Sequence, residues 1–238
     1  MNNAFINKKK QVILKREILI TSDGSTTIHL PDWDEQYHSK HGAIQEAYHV
    51  FLRSGFDQVT ENNKNISILE IGFGTGLNTF ITFLEAREKA VKINYVGVEA
   101  YPISSEEVTK LNFVQELKAA KEQLYFDAMH TISWEQKHPI SEDFQLTKRK
   151  QFFENITDKN TFDLIYFDAF GAKNQPELWT EAIFLRMFEA LKENGILVTY
   201  SAKGSVRRAM QTVGFSVERI PGPPGKREML RATKKSTQ

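Results

Sequence analysis

Cysteine is absent from the 238-residue sequence. That excludes disulfide staples, thiolate metal centres and thiol catalysis. Long apolar runs are absent as well. No stretch approaches the ~18 residues that a membrane-spanning helix needs, and the opening residues 1–8 lack the apolar segment of a signal peptide. The expectation is a cytoplasmic protein. The six histidines show no metal-ligand spacing such as H-E-x-x-H, so no metal is expected, and no Walker loop or G-x-S-x-G elbow occurs.

Excess charge is small, a formal net +1, yet it is segregated along the chain. From residue 200 onward nine Lys/Arg face two acids, a net of +7, while residues 1–30 carry +3. The middle is therefore acidic by −9. Such a division suits a basic face for a polyanion on an acidic body.

What the sequence does have is alternation. Residues 12–20 and 26–30 flank Ser22-Asp23-Gly24-Ser25 and read as a small hairpin that ends at Pro31, followed by a helix over 43–53. Strands are expected near 66–72, 93–99, 144–149, 162–168 and 195–201. Helices are expected near 76–89, 104–120, 178–192 and 204–213. A closing antiparallel pair, 215–220 and 227–233, spans the Pro221-Gly222-Pro223-Pro224-Gly225 turn. The fold class that follows is α/β: a Rossmann-like, doubly wound, mostly parallel sheet with an antiparallel edge. The expected domains are a hairpin-and-helix extension at 1–60, the main domain at 61–233, and a frayed tail at 234–238. Residues 121–143 fit the alternation poorly and read as an insertion.

The most informative run is Ile68-Leu69-Glu70-Ile71-Gly72-Phe73-Gly74-Thr75-Gly76-Leu77-Asn78. An apolar strand carries an acid, three glycines alternate, and a helix starts at about Leu77. Backbone N–H groups and a helix N-terminus then face a ligand, and the glycines allow a close approach. The G-x-G-x-G spacing with a preceding Glu points to S-adenosylmethionine (SAM) rather than to a dinucleotide. Glu99 closes the second core strand, where an acid meets ribose hydroxyls, with Ala100 beside it. Asp168 closes the fourth. Glu70, Glu99 and Asp168 are expected to converge on one crevice, which would repel phosphates and suit the cationic sulfonium and amine of SAM. Trp179 opens the next helix near the mouth and is a candidate substrate contact. Lys203, Arg207 and Arg208, with Lys226 and Arg227, form two basic clusters placed to grip phosphates around an unpaired base.

With these residues in view, the chain resembles the methyltransferase half of the bifunctional MnmC enzymes from about Asp23 to Ala232. The matching motifs are Gly42 to Leu52, Gly72 to Asn78, Glu99-Ala100-Tyr101-Pro102, Asp168-Ala169-Phe170 through Pro176-Glu177-Leu178-Trp179, Ser201 to Arg208, and Gly225-Lys226-Arg227-Glu228-Met229-Leu230. The resemblance implies methyl transfer from SAM to the amine of 5-aminomethyl-(2-thio)uridine at the tRNA wobble position. It also implies that Gly72, Phe73, Gly74, Thr75, Gly76, Leu77 and Asn78 form the SAM loop. Glu99 would hold the ribose, Glu46 the methionine end, and Asp168 the reacting amine.

The oxidase half of those enzymes has no counterpart, which implies a stand-alone form with a separate enzyme supplying the aminomethyl group. The family's acid after the third strand is also missing, leaving Gln151 or a backbone N–H to meet adenine. Other readings of the same crevice are a methyltransferase for small amines, an aminopropyltransferase, or a non-catalytic SAM- or RNA-binding module.

Overall fold

Residues 15–61 and 63–236 are described by the computed structural model; Lys8, Lys9, Lys10 and the start of the expected 12–20 strand lie outside that part. The N-terminal strands β1 (Glu17–Ile20), β2 (Thr26–Leu30) and β3 (Glu35–Gln36) form an antiparallel sheet in that order. The expected hairpin thus gains a short third strand. Its first turn closes on Asp23, whose carboxylate accepts from Thr21 Oγ1 (2.7 Å) and from Ser25 N–H (3.1 Å).

The next helix is longer than the apolar spacing suggested. It runs from α1 (Ala43–Ala47) through a π-helical stretch, Tyr48–Phe56, into α2 (Asp57–Thr60). Gly55 lets this wide helix lie against the sheet, since a Cβ there would come within 3.0 Å of Val198 and 3.1 Å of Leu164. π-helical turns are rare and concentrate near functional sites.

The main sheet contains β4 (Asn65–Ile71), β5 (Lys92–Val98), β6 (Lys137–Ser141), β7 (Phe144–Arg149), β8 (Phe162–Phe167), β9 (Leu191–Thr199), β10 (Ser216–Pro221) and β11 (Glu228–Thr233). Their order is β10-β11-β9-β8-β4-β5-β7-β6. The five central strands are parallel. The last two form the expected antiparallel edge. A second one, unexpected, comes from β6 pairing antiparallel with β7.

Strand periodicity divides the core between the two faces of the sheet. Ile66, Ile68, Tyr95, Leu164 and Tyr166 pack into one cluster with Phe51, Phe80 and Phe126. Leu69, Ile71, Val96, Ile165 and Phe167 pack into the other with Phe184, Met187 and Met210. Both faces are covered by helices, the doubly wound arrangement.

Those helices are α3 (Leu77–Glu88), α4 (Ser105–Val108), α5 (Phe113–Glu116), α6 (Gln123–Thr131), α7 (Glu181–Ala190) and α8 (Gly204–Thr212). The single helix expected over 104–120 is instead α4 and α5, separated by Asn112. Asn112 is diverted to the N-terminal sheet: its N–H donates to Thr26 Oγ1 (3.1 Å), its Oδ1 accepts from Thr26 N–H (2.8 Å), and its Nδ2 donates to Gly24 O (2.8 Å). The supposed insertion 121–143 supplies α6 and β6. The helix expected over 178–192 begins at Glu181, after a 3₁₀ turn over Pro176–Trp179. Lys234, expected to begin a frayed tail, donates to Asn160 Oδ1 (2.9 Å) and Leu191 O (2.7 Å). Among the described residues no helix is long and apolar enough to cross a membrane.

The chain runs from β4 outward to β5 and β7, then returns to β8 and β9 on the other side. The direction of winding therefore reverses between β4 and β8. Ligands of open α/β sheets bind outside the carboxyl ends of the strands at such a reversal. The loops that emerge there begin at Gly72 and Asp168.

Candidate functional site

The carboxyl end of β4 is stitched to those of β8 and β5 before any side chain is considered. Asp168 N–H donates to Ile71 O (2.9 Å), and Gly72 and Phe73 N–H both donate to Val98 O (3.0 Å). Gly72, Gly74 and Gly76 have φ of 89°, 49° and 72°, a region that favours glycine. Gly72 also has no room for a side chain, because a Cβ would stand 2.6 Å from Asp168 O. Phe73 lies over Gly97, where a Cβ would come within 2.5 Å of its ring. Thr75 is buried and shares a 2.7 Å hydrogen bond with His38 Nε2. Burial pushes the His38 imidazole down to about 4, so it is neutral near pH 7.

This loop borders a cavity of about 1370 Å³. Gly72, Phe73, Gly74, Thr75, Leu77, Asn78, Glu99, Ala100, Asp168, Glu46 and Lys226 all line it. Glu99 accepts from Gly74 N–H (3.1 Å, Oε2) and Tyr101 N–H (2.9 Å, Oε1). Burial pushes its carboxyl up, and these backbone donors pull it back.

Asp168 accepts from Asn78 Nδ2 (2.9 Å). Its carboxyl is pushed up to about 7 by burial first and the nearby Glu46 charge second, against the pull of Asn78 and Lys226. Asn78 Oδ1 is buried with no partner among the described residues.

Not every expected residue reaches this cavity. Glu70 is buried beneath it, accepting from Thr79 Oγ1 (2.8 Å) and Tyr95 OH (2.9 Å). Of the three strand-end acids, Glu99 and Asp168 therefore face the crevice and Glu70 does not. Glu70 shares a strand face with Ile66 and Ile68 and points into the core. Gly76 shapes the turn into α3 and faces His130. Trp179 is buried in the core and donates its Nε1–H to Phe170 O (2.8 Å), which fixes the loop after β8; it is not among the lining residues. Gln151 also stays out, while Lys150, Phe152, Phe153 and Glu154 line the far end beside Tyr101.

The basic clusters separate in the same way. Lys226, itself exposed, reaches the cavity wall and donates to Glu46 Oε1 (2.8 Å). Lys203, Arg208 and Arg227 are exposed, and Arg207 is half-buried; none of the four lines the cavity. The loop into α8 and the β10–β11 turn both emerge at the carboxyl end of β9, so these cations flank the cavity's end of the sheet. Arg219 and Arg231, counted in the same basic excess, pair with Glu228 (3.4 Å) and Glu218 (2.8 Å).

Half of the cavity wall comes from residues that no motif announced. Trp33, Tyr37 and His38 contribute from the N-terminal region, with Tyr200 opposite beside the motif residue Phe170. Tyr37 and Phe170 meet edge to face with centroids 5.0 Å apart. Arg16 ties the N-terminal sheet to the loop after β5 by donating to Tyr101 O (2.8 Å). Among the described residues no group of three or more His, Asp or Glu side chains is placed to hold a metal ion.

This geometry has recognisable relatives. A family model described as S-adenosyl-L-methionine-dependent methyltransferase matches residues 115–235. The bifunctional protein MnmC of tRNA 5-methylaminomethyl-2-thiouridine biosynthesis from Cupriavidus metallidurans is 28% identical over 234 residues, covering 92% of this chain and 34% of that protein. Its namesake from Hydrogenovibrio crunogenus is 27% identical, covering 83% of this chain and 31% of that protein. The chain thus spans about a third of the length of these curated relatives. Among solved structures, MnmC2 from Aquifex aeolicus superposes with a TM-score of 0.72 at 26% identity, covering 95% of this chain and 73% of that one.

Proposed function

The chain belongs to the S-adenosyl-L-methionine-dependent methyltransferase family, and from that premise we propose that it methylates the amine of 5-aminomethyl-(2-thio)uridine at the wobble position of tRNA. The product is 5-methylaminomethyl-(2-thio)uridine, and the compartment that goes with this reaction is the cytoplasm. The names of the relatives support tRNA as partner. The exposed Lys203, Arg208 and Arg227 support it too, because they supply cations for phosphates at the cavity's end of the sheet.

The residues fit the cofactor. Asn78 lines the cavity and holds the Asp168 carboxylate at its edge. Glu99 keeps lone pairs for ribose hydroxyls after accepting from two backbone N–H groups. Glu46 suits the methionine end. Tyr101 and Phe152, edge to face at 5.9 Å, would flank adenine, with Glu154 lining the same end of the cavity. When bound, SAM supplies an electrophilic methyl on a cationic sulfur.

The observation that carries the reading is Asp168. A primary alkylammonium is protonated near pH 7 and must lose that proton before its lone pair can attack a methyl group. An ordinary Asp, at roughly 3.9, is a weak base for this task. Asp168, pushed up to about 7, is matched to the working pH. Asn78 aims it, and the ammonium N–H can donate to it before transferring the proton. Positioning of the two reactants can contribute roughly 7–11 kcal/mol more.

The test is methyl transfer from labelled SAM to tRNA carrying 5-aminomethyluridine, with nucleosides resolved by mass spectrometry. A new 5-methylaminomethyl nucleoside is expected. No product, with SAM binding intact, would discard the tRNA substrate in favour of a small amine.

A further inference from the structure

Lys226 sits on the 222–227 stretch that joins β10 to β11, yet its side chain lines the cavity. The ammonium lies 2.8 Å from Glu46 Oε1 and 4.1 Å from the centroid of the Tyr200 ring. Neither partner is free to move away. Glu46 Oε2 accepts from Ser39 N–H (3.0 Å), and Tyr200 OH donates to Ala169 O (2.8 Å), one residue beyond Asp168. The turn itself is clasped from the N-terminal side. His49 Nε2–H donates to Pro221 O (2.8 Å), and the His41 ring lies so close to Gly225 that a Cβ there would come within 2.6 Å of it.

A carboxylate and an aromatic face bind one cation well, and here that cation is a primary alkylammonium. Both ligands of the reading above carry the same group: the cofactor on its methionine end, the substrate on its aminomethyl arm. Two ammonium ions cannot share this carboxylate oxygen and this ring face. We propose that Glu46 and Tyr200 form a primary-ammonium subsite that Lys226 fills as a stand-in, and that a ligand ammonium displaces Lys226 from it. The inference rests on the proposed function for the identity of its ligands. Displacement frees the Lys226 ammonium from the cavity, next to the exposed Arg227, on the side where phosphates would be gripped.

Calorimetric binding of two matched pairs tests this. S-adenosylhomocysteine carries the ammonium, and 5′-methylthioadenosine lacks it. 5-Aminomethyluridine carries it, and 5-hydroxymethyluridine does not. If Lys226 holds the subsite roughly nine-tenths of the time, Lys226→Met tightens an ammonium-bearing probe about tenfold. Its ammonium-free partner should be unmoved, and Lys226→Arg, which keeps a cation in place, should stay near wild type. Tightening in the first pair assigns the subsite to the cofactor, and in the second to the substrate. The stand-in is overturned if neither ammonium probe tightens, or if both members of a pair tighten equally, since that reports space and not charge. Methylation of tRNA by the wild-type chain is scored separately. Product without tightening removes the stand-in alone, and tightening of the first pair without product removes the tRNA reading alone.

Discussion

Glu70 and Asp168 lie at the ends of adjacent parallel strands, and burial pushes both carboxyls up, to about 8 and about 7. Their surroundings differ completely. Glu70 is inside β4, on the face shared with Ile66 and Ile68, where Thr79 and Tyr95 take up one of its oxygens. Asp168 lies one residue past β8, where the pleat no longer dictates direction, and it faces the cavity from beside Asn78. Glu70 is level with Tyr166, two residues short of Asp168, and that step past the end of the strand divides an acid that braces the floor from an acid that meets the ligand.

Substitutions can break this contrast. Asp168→Asn should have the largest effect, a loss of about 10²–10⁴-fold in turnover with SAM affinity within an order of magnitude. The introduced amide keeps the shape, and its oxygen can still accept from Asn78 Nδ2, so a folded protein is expected. Single-turnover kinetics with calorimetry checks both halves, and near-normal turnover would remove Asp168 from its role.

Glu99→Gln should come next. It leaves one oxygen where two backbone N–H groups now donate, and it removes a charged acceptor for ribose. An affinity loss of about 10- to 100-fold is expected, from roughly 1.5–3 kcal/mol for hydrogen bonds to a charged group. The rate at saturating SAM should change little.

Glu70→Gln should have the smallest effect on activity and a distinctive one on stability. The folded state raises the Glu70 carboxyl from its ordinary 4.5 to about 8, so it holds the proton more tightly than the unfolded chain does. The stability this contributes is complete below pH 4.5 and is lost as pH rises through about 8. Gln mimics the protonated form, so thermal melts should show the variant gaining at pH 8 and above, by about 1 kcal/mol or more, roughly 2–4 °C or more. A large fall in SAM affinity would instead return Glu70 to the cavity wall.

The same contrast explains what was legible in the sequence. The glycine loop, Glu99 and Asp168 belong to contiguous strand–turn motifs whose geometry is local, and the alternation of apolar strands and helices gave the α/β class. Direction was harder, because Glu70 reads as a strand-end acid until its parity with Ile66 and Ile68 is counted. Contacts across the fold were out of reach. The Lys226–Glu46 pair joins residues 180 apart, and nothing local marks either as the other's partner. Tyr37 and Trp33 reach the cavity from the N-terminal region, which Arg16 and Asn112 clamp to the main domain. That clamp also split the expected 104–120 helix. Nothing local marks Lys148 as buried, yet it is, donating to His130 O (2.8 Å), with its ammonium 4.9 Å from the Trp134 ring centroid.

The central claim is that Asp168 takes the proton from a substrate amine in this cavity. The direct measurement is the single-turnover rate of methyl transfer from SAM to tRNA carrying 5-aminomethyluridine, followed from roughly pH 5 to pH 9. The account predicts a rate that climbs as Asp168 ionises and levels off above about 7, with the climb abolished in Asp168→Asn. A profile flat across that range, or an identical climb in the variant, would contradict it.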